Sequence, residues 1–481
     1  MNTESPNNFA KKTIRECRKH NKAFCVDTRG QTLSFDQLET RVEQVAGVLQ
    51  HQAGIRGMCR VGIFLDDSVH WPVVFLACLY IGANPLLLYR NMGKKETLDL
   101  CKKADCDTVI CQDEDNFPGF NTVHLTELLT ADQQQVPQCY DWHDDEPCWW
   151  TLSSGSTNQN KLIVHKHGSF AGLWQASNRL VGITESDRIL MTGKMSFPWG
   201  LSYMLWCLFN KATLHVIHTA PAPTIVTDIL NKYSITKFMV TPFLLNKMCG
   251  KVTKPIPAHT EIYVSGEPLT VLLRQKVKKT YNKRVNDAYG LSEVFACVAI
   301  QTNDCNFDNM GNVGEGIEYK IIDKQGHRCA PGTPGELHIK SPAQALCYWK
   351  SHDMTKKTFL GDWVKTGDLV VEKDKKKLVF LGRLSTFIKV KNSFVNPDQI
   401  EAVINDHPGV DECLITCSTH EGIQQLYADI KPLSEDFDLK GLKQSLSTKL
   451  KSIHMPRSFR LVDNIPRTVN LKKKRHKAST V

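Results

Sequence analysis

Cys59-Arg-Val-Gly-Ile-Phe-Leu65 is followed by Ser68-Val-His-Trp-Pro-Val-Val-Phe-Leu-Ala-Cys-Leu-Tyr80 and then by Asn84-Pro-Leu-Leu-Leu88. A short apolar run bounded by polar residues reads as a buried strand. The second stretch is apolar on every face and opens on a serine that can cap it, so it reads as a buried helix. The third is another strand. Strand, helix and strand in this order make the unit of a parallel sheet, because a parallel return needs a crossover. The pattern continues with a helix over Lys94–Lys103 and an extended Asp107–Cys111. It recurs as strand Ala212–Val216, helix Thr224–Tyr233, strand Lys237–Val240, helix Pro242–Cys249, strand Ile262–Ser265 and helix Leu269–Tyr281. The expected fold is α/β, with parallel sheets sandwiched by helices and ligand loops beyond the strands' carboxyl ends.

Past about residue 310 the texture changes to short strands and turns, such as Gly311-Asn-Val-Gly314, Pro331-Gly-Thr-Pro-Gly335, Glu336–Lys340 and Lys376–Phe380. This predicts a small β-barrel subdomain over 310–381 that completes a large domain, 1–384. From Phe387 onward, strand Phe387–Val390, helix Pro397–Asn405, strand Glu412–Cys417, helix Leu439–Leu450 and strand Ser458–Val462 predict a small α+β domain over 385–481.

The bulk properties exclude several classes. With 481 residues and 41% hydrophobic content, the chain is composed like a cored globular protein. The first twenty residues are polar and charged without an apolar signal region, and no apolar run is long enough to span a membrane. A cytoplasmic protein is expected. The 17 cysteines are scattered, odd in number and never spaced as Cys-x-x-Cys, so they read as reduced, buried small hydrophobes; Cys101, Cys106 and Cys111 lack the histidines of a zinc site. A net charge of +10 is partly concentrated in Lys472-Lys-Lys-Arg-His-Lys477, and no aromatic stacking platform accompanies it, which argues against nucleic acid. No Gly-x-Ser-x-Gly elbow is present, which argues against a serine hydrolase.

Four clusters carry chemistry. Thr151-Leu-Ser-Ser-Gly-Ser-Thr-Asn-Gln-Asn-Lys161 can wrap phosphate, with small residues baring backbone N–H groups and a lysine neutralising charge. Asp287-Ala-Tyr-Gly-Leu-Ser-Glu293 offers an aromatic face at Tyr289, a donor at Ser292 and a hard oxygen for Mg²⁺ at Glu293. Lys365-Thr-Gly-Asp368 places on a turn a carboxylate that suits a ribose diol, and Gly382-Arg383 adds a guanidinium.

In this order the clusters resemble the adenylate-forming superfamily of acyl-CoA synthetases, amino-acid adenylation domains and luciferases. The resemblance runs from about residue 35 to 475 through Ser153-Ser-Gly-Ser-Thr157 with Lys161, Val264-Ser-Gly-Glu-Pro268, Tyr289-Gly-Leu-Ser-Glu293, Thr366-Gly-Asp368, Gly382-Arg383 with Lys389, Val395-Asn-Pro397 to Ile400-Glu401, and Pro466-Arg-Thr468 with Lys472. It implies an acid–thiol ligase that uses ATP, Mg²⁺ and CoA. Ser153, Ser154, Gly155, Ser156, Thr157 and Lys161 would hold the outer phosphates. Gly266, Glu267 and Tyr289 would flank the adenine, with Pro268, Asp287 and Gly290 also binding the nucleotide, Asp368 and Arg383 at the ribose, and Ser292 at the α-phosphate, with Glu293 on the metal. Lys472 would be the catalytic lysine of a mobile small domain, swinging about a hinge at Ser385 so that a second face can admit the thiol.

The acid pocket is expected in Phe197-Pro-Trp-Gly-Leu-Ser202, at Phe197, Trp199 and Gly200; the segment looks like the aryl-CoA ligase branch, particularly benzoate-CoA ligases, through the Ser153–Thr157 loop and the aromatic-Gly-Leu turn, with Phe197 and Trp199 as plain core residues the alternative. Pro198 stands where amino-acid-activating members carry an Asp, which disfavours a cationic substrate. Aryl, short-chain and medium-chain acids fit this reading. Asn158 and Asn160 alter the phosphate loop, Asn392 replaces a glycine beside the thiol path, and Leu471 replaces the glycine before Lys472. Two rival readings follow from these departures: transfer to the phosphopantetheine of an acyl-carrier protein, and a degenerate nucleotide-binding protein with little turnover.

Overall fold

The computed structural model describes residues 6–131, 135–153, 161–218, 221–250, 254–302, 309–373, 377–390, 393–420, 423–467, 473 and 475. Ser154, Gly155, Ser156, Thr157, Asn158, Asn160, Asn392, Leu471 and Lys472 lie outside these residues, as does the side chain of Lys389.

The βαβ reading holds along the chain. Seven strands form one sheet in the order Cys347–Tyr348, Leu162–Lys166, Pro147–Leu152, Asn84–Leu87, Arg60–Phe64, Thr108–Cys111 and Asn121–His124. The last five are parallel to one another. A nine-stranded sheet runs Asn312–Val313, Ala296–Gln301, Val285–Leu291, Glu261–Ser265, Lys237–Val240, Arg188–Met191, Thr213–Val216, Ala23–Asp27 and Thr32–Ser34. From Val285–Leu291 to Ala23–Asp27 every pairing is parallel.

One apolar core joins the two sheets. Helices His70–Tyr80 and Pro198–Asn210 are buried almost throughout, and their Trp71, Phe75, Tyr203 and Trp206 share a cluster with Val61 and Ile63 of one sheet and Ile189 and Leu214 of the other. Each such side chain stabilises the fold by about 1.5–3 kcal/mol on burial. The first of these helices starts at His70 rather than at the serine, whose Oγ accepts the His70 N–H at 3.3 Å. Pro198 opens the second, where its fixed φ and missing N–H cost nothing. Gly172 lies so close to the Pro342 carbonyl that a side chain there would collide with it.

The later strands build two further units. Glu318–Ile322, Gly335–Lys340, Phe359–Leu360, Trp363–Lys373 and Lys377–Arg383 make an antiparallel sheet whose Leu337, Ile339, Val364 and Val370 pack with Val294 and Val298 of the large sheet region. Thr366-Gly-Asp368 therefore lies inside an eleven-residue strand, not on a turn: the ladder with Gly335–Lys340 pairs on both sides of it, at Lys365 and Leu369, and the ladder with Lys377–Arg383 begins at Asp368, which pairs with Arg383. The small lobe is a three-stranded sheet, Val410–His420, Ile423–Pro432 and Ser458–Leu461, with helices Pro397–Asn405 and Leu439–Lys449 over a core of its own.

Every cysteine among the described residues is free, and no cluster of metal-binding side chains occurs among them. Nor is any helix long and apolar enough to cross a membrane.

His165 is fully buried, stacked on Trp149 with ring centroids 3.9 Å apart, and neither ring nitrogen has a hydrogen-bond partner among the described residues. Burial pushes its pKa down to about 3. A free imidazole protonates near pH 6.5, so as pH falls the unfolded chain takes up the proton first and stability drains away from about 6.5 toward 3. His165→Phe should flatten that slope and move the acid-unfolding midpoint, followed by circular dichroism, to lower pH.

Candidate active site

The loops that leave the parallel strands at their carboxyl ends supply the site: Ser153 after Leu152, Lys194 after Met191, Gly266 and Glu267 after Ser265, and Ser292 after Leu291. In α/β sheets these ends are where ligands collect.

Three sequence-predicted residues meet at Asp368. Its Oδ2 accepts the Tyr289 O–H at 2.6 Å and its Oδ1 accepts the Arg383 Nε–H at 2.8 Å. Asp368 itself is 2% exposed, and its backbone N–H donates to Thr366 Oγ1 at 3.0 Å. Burial and the adjacent Asp368 push the Tyr289 hydroxyl up, so it stays a donor. Burial alone would lower the Arg383 guanidinium, but Asp368 outweighs it and raises the pKa. A bulge between Tyr289 and Gly290 turns the strand here, with Gly290 needed because a Cβ would come within 2.6 Å of the Ala296 carbonyl oxygen.

A second group surrounds Glu293. Its Oε1 accepts the Tyr348 O–H at 2.8 Å, and the Lys161 ammonium lies 5.0 Å from the centre of the Tyr348 ring. Burial lowers the Lys161 pKa, opposed by Glu293 and assisted by Arg383, so the three charges share one electrostatic neighbourhood. Ser153 N–H donates to the Lys161 carbonyl at 3.0 Å and closes the neck of the loop between them. Ser153 Oγ is buried without a partner among the described residues. Ser292 opens a short 3-10 turn and is half-buried.

Two predicted nucleotide residues are engaged differently. Asp287 bonds Arg274 at 3.0 Å, and Arg274 also reaches the Val285 carbonyl and Gln301; burial raises Asp287 to about 6 against that pairing. Glu267 Oε1 accepts the Lys473 N–H at 3.3 Å across the lobes. Gly266, with φ +98°, makes the bend before it, and Pro268 is exposed beyond. In the segment expected to form the acid pocket, Phe197 stacks on Tyr89 at 3.8 Å, and Trp199 meets Tyr203 edge-on at 4.8 Å. Gly200 lies under the Lys194 carbonyl, with no room for a Cβ. Ser385 is exposed, in a turn closed by the Thr386 N–H on the Arg383 carbonyl at 3.0 Å.

Sequence reading missed Tyr89, Tyr348, Lys194, Asp67 and Phe243. Tyr348 reaches Glu293 only because Cys347–Tyr348 pairs with Leu162–Lys166, a distant register without local signal. It also missed how the tail is held. Lys473 Nζ bonds Glu401 and the Cys413 carbonyl, Arg475 bonds Asp398 and Glu401, and Arg467 pairs with Glu412. Burial would lower the Lys473 pKa, but Glu401 and Glu412 raise it.

A family model described as "AMP-binding enzyme" matches residues 14–349. The chain belongs to the AMP-binding enzyme family. The chain is 25% identical, over 97% of its length and 92% of the relative's, to a 4-hydroxybenzoate–CoA/benzoate–CoA ligase of Rhodopseudomonas palustris. It is 25% identical to an anthranilate–CoA ligase of Pseudomonas aeruginosa, over 94% of this chain and 93% of that one. Its fold matches a benzoate CoA ligase from Burkholderia xenovorans with a TM-score of 0.87, at 22% identity and over 97% and 98% of the two chains. It also matches the O-succinylbenzoate coenzyme A synthetase of Bacillus subtilis in complex with AMP, with a TM-score of 0.88, 20% identity and coverage of 100% and 99%.

In this AMP-binding enzyme the two lobes meet where the Arg467 guanidinium lies 3.7 Å from the centre of the Phe243 ring. Such a contact stabilises by about 0.5–2 kcal/mol. Phe243→Ala should loosen the small lobe, seen as several-fold faster tryptic cleavage at the Arg383–Ser385 turn with an unchanged melting temperature of the large lobe.

Proposed function

We propose that this AMP-binding enzyme is an acid–thiol ligase that joins an aromatic carboxylic acid to CoA through an acyl-adenylate. In the first step a carboxylate oxygen bonds to the α-phosphorus of ATP and the bond to pyrophosphate breaks. In the second the CoA sulfur bonds to the acyl carbon, AMP leaves, and the thiol proton passes to solvent. The observation that carries this reading is the convergence of Lys161, Glu293, Asp368 and Arg383 at the strand ends of a chain that matches the AMP-binding model.

Each residue has a physical task. At the Ser153–Lys161 neck, a hydroxyl buried without a partner among the described residues and an ammonium would serve the outer phosphates. Asp368, steadied by Tyr289 and Arg383, takes the ribose diol as a charge-assisted acceptor. Ser292 serves the α-phosphate. Glu293 is a hard oxygen donor suited to Mg²⁺, and Tyr348 fixes one of its two oxygens. Glu267, Gly266 and Pro268 border the base. The approach of two anions is opposed by their charge, so a cation at the reacting atoms lowers the barrier. Lys472 fills that role in our reading. Its support is that the next residue, Lys473, is bonded to Glu267 from the small lobe.

An aryl acid is the reading favoured by the aromatic side chains of this segment, Phe197 stacked on Tyr89 and Trp199 edge-on to Tyr203. A cytoplasmic location agrees with free cysteines throughout the described residues.

A panel of aryl and short- and medium-chain acids, read by pyrophosphate release with CoA, with holo acyl-carrier protein and with neither, tests the reading. Benzoate-type acids should give AMP and an aryl-CoA thioester; no acid-dependent pyrophosphate above background would sink it. Lys472→Ala should lower acyl-AMP formation about 100-fold or more, while ATP affinity by calorimetry stays within about twofold. Asp368→Asn should instead weaken ATP binding about 10- to 100-fold, the size of a lost charged hydrogen bond.

A further inference from the structure

Asp67 is 3% exposed, yet it is no part of the nucleotide cluster. It follows strand Arg60–Phe64 of the seven-stranded sheet, and its Oδ2 lies 3.3 Å from the Lys194 ammonium, which follows strand Arg188–Met191 of the other sheet. Its Oδ1 accepts the Met195 N–H at 3.0 Å. The same ammonium reaches the carbonyls of Ile217 at 3.3 Å and His218 at 3.5 Å, beyond strand Thr213–Val216. Three strand ends from two sheets are thus fastened at one ion pair, whose carboxylate is buried and whose ammonium is half-buried. Burial raises the Asp67 pKa, with Lys194 opposing.

What this pair fastens is the approach to the acid pocket. The Lys194 carbonyl accepts the Phe197 N–H at 3.0 Å and lies over Gly200, where no Cβ fits. Thr192 is tied on the other side, its N–H and hydroxyl both donating to the Met239 carbonyl at 3.1 and 2.8 Å. The helix Pro198–Asn210 starts from this loop, so the aromatic walls at Phe197 and Trp199 take their position from it.

We propose that the Asp67–Lys194 pair is a positioning device for the acid substrate, a tether between the two sheets that sets the Phe197–Gly200 wall without touching the reacting atoms. The proposal rests on the ligase reading and on Phe197–Gly200 as the acid pocket. A buried ion pair gains little over an apolar pair in stability, so its value lies in the geometry that it specifies.

The test uses the full chain and benzoate. Removing one partner leaves a buried charge alone and can prevent folding, so the informative variant is the double one, Asp67→Asn with Lys194→Met, beside Lys194→Arg. In the folded double variant the KM for benzoate should rise about tenfold or more while the KM for ATP stays within about twofold; Lys194→Arg, which keeps a charged donor, should return most of the loss. An unchanged benzoate KM in the folded double variant overturns the tether. So does an equal rise in both KM values, which would mark a merely structural role. Calorimetric titration of benzoate with a non-cleavable ATP analogue gives the acid affinity without turnover. An inactive wild type that binds benzoate more tightly than the double variant thus counts against the ligase reading alone, and equal binding counts against the tether.

Discussion

Asp368 accepts from two sides at once, and the site depends on that double hold. Tyr289 comes from the edge of the parallel part of the nine-stranded sheet, Arg383 from the antiparallel sheet, and the carboxylate between them joins the two. A buried carboxylate is costly unless its lone pairs are occupied. Here each oxygen accepts one bond, from a hydroxyl and a guanidinium, with a second lone pair left on each, and the backbone under it is fixed by Thr366. The charge is consequently held in one place, as the proposed ribose contact requires.

Around that fixed anion the positive groups are graded. Arg383 is held firmly charged by its carboxylate partner, whereas burial eases Lys161 downward. A polyphosphate entering such a site would find one cation already neutralised in a pair and another seeking a partner. Glu293 links both, because it acts on Lys161 and on Arg383 and is itself held by Tyr348. The Arg467–Glu412–Lys473–Glu401–Arg475 series then keeps the small lobe's own charges satisfied inside it. Between the lobes, Arg467 lies on Phe243, Lys473 bonds Glu267, and Asn396 donates to the Leu381 carbonyl at 2.7 Å.

The sheets and helices were legible because their signals are local. Strand Lys237–Val240 and helices Lys94–Lys103 and Pro397–Asn405 fall where periodicity and capping place them. The partners of the site were legible only where a short motif carries them: Tyr289, Glu293, Asp368 and Arg383 each stand in one. Tyr348, Asp67 and Lys194 do not, since each acts through a register or loop contact with residues more than fifty positions away, and spacing in sequence says nothing of that. The strand around Thr366-Gly-Asp368 was misread for a related reason. Thr-Gly-Asp reads as a turn in sequence, but Gly367 takes φ +72° within the strand, and the irregular register opposite it, between Glu336 and His338, lets the ladder absorb it.

In the proposed reading the acid pocket obeys a different logic from the nucleotide site: phosphate and ribose would be met by charges, the acyl group by shape. Proline at the first position of helix Pro198–Asn210 offers no N–H and no side-chain charge, and Phe197 before it lies flat on Tyr89. A flat aromatic acid gains from such stacking and from the loss of water, whereas an amino acid would have to bury its ammonium against rings. The selectivity of the wall is therefore only as sharp as its placement. That is why a loop pinned at Thr192, Lys194 and Met195, with a carbonyl pressed against a glycine, belongs next to it: a shift of an ångström in a stacked wall changes which ring fits, while the same shift in a charged site is partly forgiven by the length of a lysine.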